Sequence, residues 1–75
     1  MFKVGDRVEM VNADEKVQVG DVGTVLEESH VPYVAFDRNI GGHNAWGRCE
    51  WGYGWAIDEY DIKLIEEAPT CATTA

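Results

Sequence analysis

Seventy-five residues limit this chain to one domain, near the lower bound for a self-sufficient hydrophobic core. Fourteen acidic residues against six basic ones give a net charge of −8, a field that repels phosphate backbones and disfavours direct nucleic-acid binding. No apolar run is long enough for a membrane-spanning helix, so no membrane partner is expected.

The opening Met1-Phe2-Lys3-Val4-Gly5-Asp6 shows neither the basic nor the apolar part of a signal peptide, so a cytoplasmic protein is expected. Cys49 and Cys71 are then free thiols rather than a bridge. In the first segment, Lys3 to Asn12, Val8 and Met10 share one face while Arg7 and Glu9 share the other, the period-two mark of a half-buried strand. Residues 12–16 are a polar loop. Val19-Gly20-Asp21 then repeats Val4-Gly5-Asp6, and each copy sets a sharp corner before a strand. Glycine supplies positive φ, and the aspartate accepts from nearby backbone N–H groups.

Thr24 to Glu27 forms the second strand and 28–32 a turn or edge connection. Tyr33 to Asp37 is the third strand, with Val34 and Phe36 inward. Residues 38–54 form a long irregular segment holding Trp46 and Trp51. Trp55 to Ile57 is a fourth strand, Asp58 to Asp61 a single 3-10 turn with an aspartate cap, and Ile62 to Ile65 a fifth strand. No window carries a 3.6-residue period. The expectation is an all-β fold: a small SH3-like barrel of about five strands over residues 1–67, closed on itself to remove exposed edges. It carries a long Gly/Trp-rich loop and a 3-10 turn before the last strand. Residues 68–75, uncharged and without a large apolar anchor, are a disordered tail. The predicted core is Val8, Met10, Val22, Val25, Val34, Phe36, Ile57, Ile62 and Leu64, with Trp55 beside it.

Several of these segments carry a resemblance. Lys3-Val4-Gly5-Asp6-Arg7-Val8, Gly20-Asp21-Val22-Gly23-Thr24-Val25, Val34-Ala35-Phe36-Asp37 and Asp58-Glu59-Tyr60-Asp61-Ile62-Lys63-Leu64-Ile65 resemble the pattern of SH3-like barrels of the Mib/Herc2 type. Phe36-Asp37, Gly42-His43 and Tyr53-Gly54-Trp55 also resemble short uncharacterised phage and bacterial proteins. The likeness to Mib/Herc2-type domains implies a non-catalytic module that binds protein segments, and the second likeness implies a phage or bacterial setting.

The residues themselves give no nucleophile–base pair in a recognisable context, no phosphate-binding loop and no dinucleotide fingerprint, so no enzyme is expected. His30, His43, Cys49 and Cys71 match no zinc spacing, so neither a metal nor another cofactor is expected. His43 is instead expected to hydrogen-bond loop backbone, and Cys49 to be a small buried hydrophobe.

The aromatic cluster is the candidate site. Trp46, Trp51, Tyr53 and Tyr60, bordered by Glu50, Asp58 and Glu59, suit a peptide bearing lysine or arginine through cation–π contact and rim pairing. The same rings can instead fold back and cap a thin core. Trp55 is expected in the core, Trp46 and Trp51 outside it. Three readings stand: a monomeric protein- or peptide-binding module, an acidic inhibitor or nucleic-acid mimic that blocks a basic site, and a structural accessory subunit.

Overall fold

The computed structural model describes residues 1–68. Five short strands, β1 (Arg7–Met10), β2 (Val22–Val25), β3 (Tyr33–Phe36), β4 (Gly54–Ala56) and β5 (Ile62–Glu66), form one antiparallel sheet in the order β4-β3-β2-β1-β5. The described residues contain no α-helix, only a 3-10 turn over Glu59–Asp61. Asp58 caps that turn, its side chain accepting from the Tyr60 N–H. In β1, β2 and β3 every second residue is buried, so Val8, Met10, Val25, Val34 and Phe36 meet on one face.

The ends of the sheet are drawn together by its connections. Only residues 57–61 join β4 to β5, the two outermost strands. In a flat five-stranded sheet those strands would lie about 19 Å apart, at about 4.8 Å per step. A link that spends three residues in a 3-10 turn reaches roughly 16 Å. The sheet therefore curls at this end, and Ile57 and Ile62 join the same core from its opposite edges.

The curl stops short of the expected closed barrel. The outward N–H and C=O of Gly54 in β4 are bonded, both at 2.8 Å, to His43 of the long loop. With its edge occupied by loop backbone, β4 does not pair with β5, and the two remain the ends of the ladder.

The core differs from expectation at named positions. Leu64 lies opposite Val8 but on β5, at the end of the sheet among the described residues, and is 43% exposed. Val22 is half-buried. Their places are taken by Ile40 and Ala45, from the segment expected to be irregular, and by Val17, just past the expected polar loop. Reciprocal backbone bonds between Asp14 and Val17 fold the first loop so that Val17 turns inward. The second strand begins at Val22 rather than Thr24, and the fourth at Gly54 rather than Trp55. Of the expected tail, Ala68 is described, its N–H donating to Asp6 at 2.8 Å; residues 69–75, with Cys71, lie outside the described residues.

The two Gly-Asp corners are the same structure built twice. Gly5 and Gly20 have φ of 94° and 95°. In each corner the aspartate N–H donates to the carbonyl three residues back, Asp6 to Lys3 and Asp21 to Gln18. One carboxylate oxygen then accepts that same residue's N–H, at 2.8 Å in both. The second oxygen reaches across the fold. Asp6 accepts from Ala68, and Asp21 accepts from Arg38 at 2.8 Å. On the outer face Arg7 of β1 donates to Thr24 of β2 and in a two-pronged pair to Asp37 beyond β3, tying three consecutive strands.

Candidate aromatic binding site

The long loop folds into two successive tight turns. In the first, over residues 44–47, the Gly47 N–H donates to the Asn44 carbonyl at 3.0 Å. The two central residues, Ala45 and Trp46, have φ of 50° and 63°. Positive φ at both positions is the mark of a type I′ turn, which favours asparagine and glycine. For residues with a Cβ this backbone costs roughly 1–2 kcal/mol each. The surroundings offset that cost. Ala45 is fully buried, its N–H donates to His43 Nδ1 at 3.0 Å, and the Cys49 N–H returns to the Asn44 carbonyl at 3.1 Å.

The turn leaves Trp46 83% exposed. The ring is nevertheless oriented, because its indole N–H donates to Tyr33 Oη at 3.0 Å. Tyr33, His43, Asn44 and Trp46 together line an open cavity of about 220 Å³. A stack of rings backs it. Tyr33 meets His43 edge-on, with centroids 5.3 Å apart, and His43 lies tilted over Trp55 at 5.2 Å. The Lys16 ammonium sits 5.4 Å from the Trp55 centroid, so this chain already holds one of its own lysines on a neighbouring indole. Glu27 accepts from the Tyr33 N–H and from the Arg48 guanidinium, fastening the loop near the start of β3.

Of the residues expected at the site, Trp46 alone lines this cavity. Trp51 is 70% exposed on the second turn, beside exposed Glu50. Tyr53 is half-buried, with its carbonyl bonded to the Phe36 N–H. Tyr60, 82% exposed, stands on the 3-10 turn. Asp58 is occupied as the cap of that turn, and the Glu59 carboxylate accepts from His30 at 2.9 Å. Trp55 packs against the core, as its strand position implied. Cys49 is half-buried; burial, and then the Glu50 charge, pushes its thiol above the usual range.

Tyr33, His43 and Asn44 were not among the expected site residues. Tyr33 carried a signal, since strand parity with inward Val34 and Phe36 places it on the outer face. Nothing in the spacing joins it to Trp46, because that pairing depends on the path of the loop. The chain matches no family model, no curated protein and no solved structure.

Proposed function

We propose that this protein is a non-catalytic module that binds an extended protein segment at the Trp46 cavity, with lysine or arginine on the bound segment. The observation that carries this reading is the Trp46 turn. An indole is held almost wholly in water, on backbone that a glycine would occupy at less cost, and with its N–H tied down. Strain and an oriented exposed ring together are the economy of a display surface rather than of core filling. The partner's charge follows from what the protein leaves free. Arg7, Arg38 and Arg48 are each paired with a carboxylate, and Lys16 lies on Trp55. An acidic surface facing the solvent favours a cationic segment.

The strand order, the Gly-Asp corners and the 3-10 turn before β5 support reading the fold as SH3-like despite the open ladder. A phage or bacterial setting rests on the resemblance of Phe36-Asp37, Gly42-His43 and Tyr53-Gly54-Trp55. The test is titration of lysine-, arginine- and glutamate-bearing extended peptides against the wild type and a Trp46→Ala/Trp51→Ala double variant, measured by isothermal titration calorimetry, which needs no indole as reporter. Saturable binding of the basic peptides, lost in the double variant, is expected. Binding that survives in the double variant overturns the reading.

The internal pairing of every arginine also favours the second reading, an acidic body that occupies a basic site. Salt separates the two. A contact made by charge alone loses most of its affinity between about 50 and 200 mM salt, whereas one anchored by rings loses little.

A further inference from the structure

His43 is a half-buried titratable ring in the middle of the candidate site, and Trp46 stands three residues after it. Its Nδ1 accepts the N–H of Ala45 at 3.0 Å. Ala45 is fully buried, so this N–H has no ready access to water and needs a partner inside the protein. Ala45 is also the first of the two left-handed residues, and its position fixes where the backbone throws the Trp46 ring. The imidazole is itself immobilised. Tyr33 from β3 meets it edge-on, Trp55 from β4 lies against its face, and its own backbone is bonded twice to Gly54. A glycine at position 42 lets the chain pass this close, because a Cβ there would collide with the Gly54 carbonyl.

We propose that His43 is the positioning residue of the Trp46 site, acting only as the neutral ring with its proton on Nε2. Nδ1 must present a lone pair for the Ala45 N–H. A proton on Nδ1 would set donor against donor and leave a buried N–H unpaired, so the protonated ring and the closed turn exclude each other. The charged and titratable groups around the ring include Tyr33 itself, the Cys49 thiol packed at Gly54 beside His43 and Ala45, the Lys16 ammonium on the Trp55 ring, and the Glu27–Arg48 pair at the Tyr33 backbone. The sign follows. Display of Trp46 is held while the ring is neutral and is released as pH falls and the ring takes up a proton. This inference rests on the reading of Trp46 as the binding surface only for its purpose; the turn geometry it concerns is measurable without any ligand.

The test is an NMR titration of the whole protein from about pH 8 to about pH 4.5, following the His43 ring protons, the Ala45 amide and the Trp46 indole N–H. As the ring titrates, the Ala45 amide should exchange at least about tenfold faster, and the Trp46 indole N–H should shift toward its solvent-exposed position. Two variants separate the acceptor from the ring. His43→Phe keeps a ring between Tyr33 and Trp55 but removes the acceptor, and should show the low-pH signals at every pH. His43→Asn retains a side-chain oxygen that can accept the N–H two residues on, and should restore Ala45 protection without the pH dependence. The inference is overturned if His43 titrates while the Ala45 and Trp46 signals stay fixed, or if the Phe variant keeps wild-type protection at Ala45. Neither result would bear on whether Trp46 binds peptides, which the calorimetric peptide titration decides separately.

Discussion

The indole N–H of Trp46 donates to the hydroxyl of Tyr33 at 3.0 Å, joining a ring on the loop to one on β3. That bond spans thirteen positions of sequence and converts an 83% exposed side chain into an oriented one. Tyr33→Phe removes the acceptor while keeping the ring edge against His43. Water can replace the hydroxyl, so the expected loss of stability is below about 1 kcal/mol. The Trp46 ring should gain motion, seen as lower indole fluorescence anisotropy, and basic peptides should bind a few-fold more weakly.

Trp46→Gly separates display from folding. It removes little buried surface and relieves the left-handed backbone at this position. The thermal midpoint should correspond to a change within about 1 kcal/mol of wild type in either direction. Peptide binding should vanish. A variant that unfolds would show instead that the indole is structural.

Gly41 and Gly42 are adjacent but constrained for different reasons. At Gly41 an added Cβ meets open space, but φ is 77°, so Gly41→Ala should cost about 1 kcal/mol through backbone strain alone. At Gly42 a Cβ would strike the Gly54 carbonyl that His43 uses. Gly42→Ala should therefore cost about 2–3 kcal/mol and expose the β4 edge. Paired denaturant melts, with amide exchange at Gly54, would measure both.

Among the described residues Asp6 is the one buried charged residue, and both its oxygens accept backbone N–H groups, from Lys3 and Ala68. Asp6→Ala leaves those donors without their partner and should destabilise by about 2–3 kcal/mol. Asp6→Asn, which keeps one acceptor oxygen, should recover part of that in the same melt.

Acid should weaken the outer face in a defined order of cause. The Arg7 hydrogen bonds hold Asp37 below the usual carboxylate range, and the Arg38 hydrogen bonds do the same for Asp21, against the opposing effect of burial. A carboxyl whose folded value is depressed stabilises above its unfolded value, about 3.9, and that contribution is lost as pH falls toward the folded one. Asp37 is 55% exposed, so solvent screens its share. Stability measured from about pH 6 down to about pH 2 should fall below about pH 4, and Asp21→Asn with Asp37→Asn should flatten that limb.

Local chemistry accounts for what could be read early. Alternation over Arg7–Met10 and Tyr33–Phe36 placed two strands and their buried faces, and the twin Val-Gly-Asp segments fixed two corners down to the carboxylate–amide bond. The Asp58 cap and the outward Trp46 and Trp51 were legible for the same reason: each depends on residues close in sequence or on the simple excess of large rings over available core. Leu64 misled, because its parity was right while β5 is the end of the sheet among the described residues and leaves it exposed. Val17 and Ile40 were hidden inside polar surroundings whose turns only long-range packing justifies.

By itself the sequence determined an all-β chain of five short strands with glycine corners, an acidic surface and more indole than its interior can hold. Those properties are set by periodicity, φ preference and volume, which act over a few residues at a time. Only the tertiary structure decided that β4 is capped by His43 rather than joined to β5, and that Trp46 meets Tyr33 instead of Trp51 or Tyr60. Both outcomes depend on how an irregular loop returns to the sheet, and that path follows from where buried N–H groups find partners across the fold, not from any pattern along the chain.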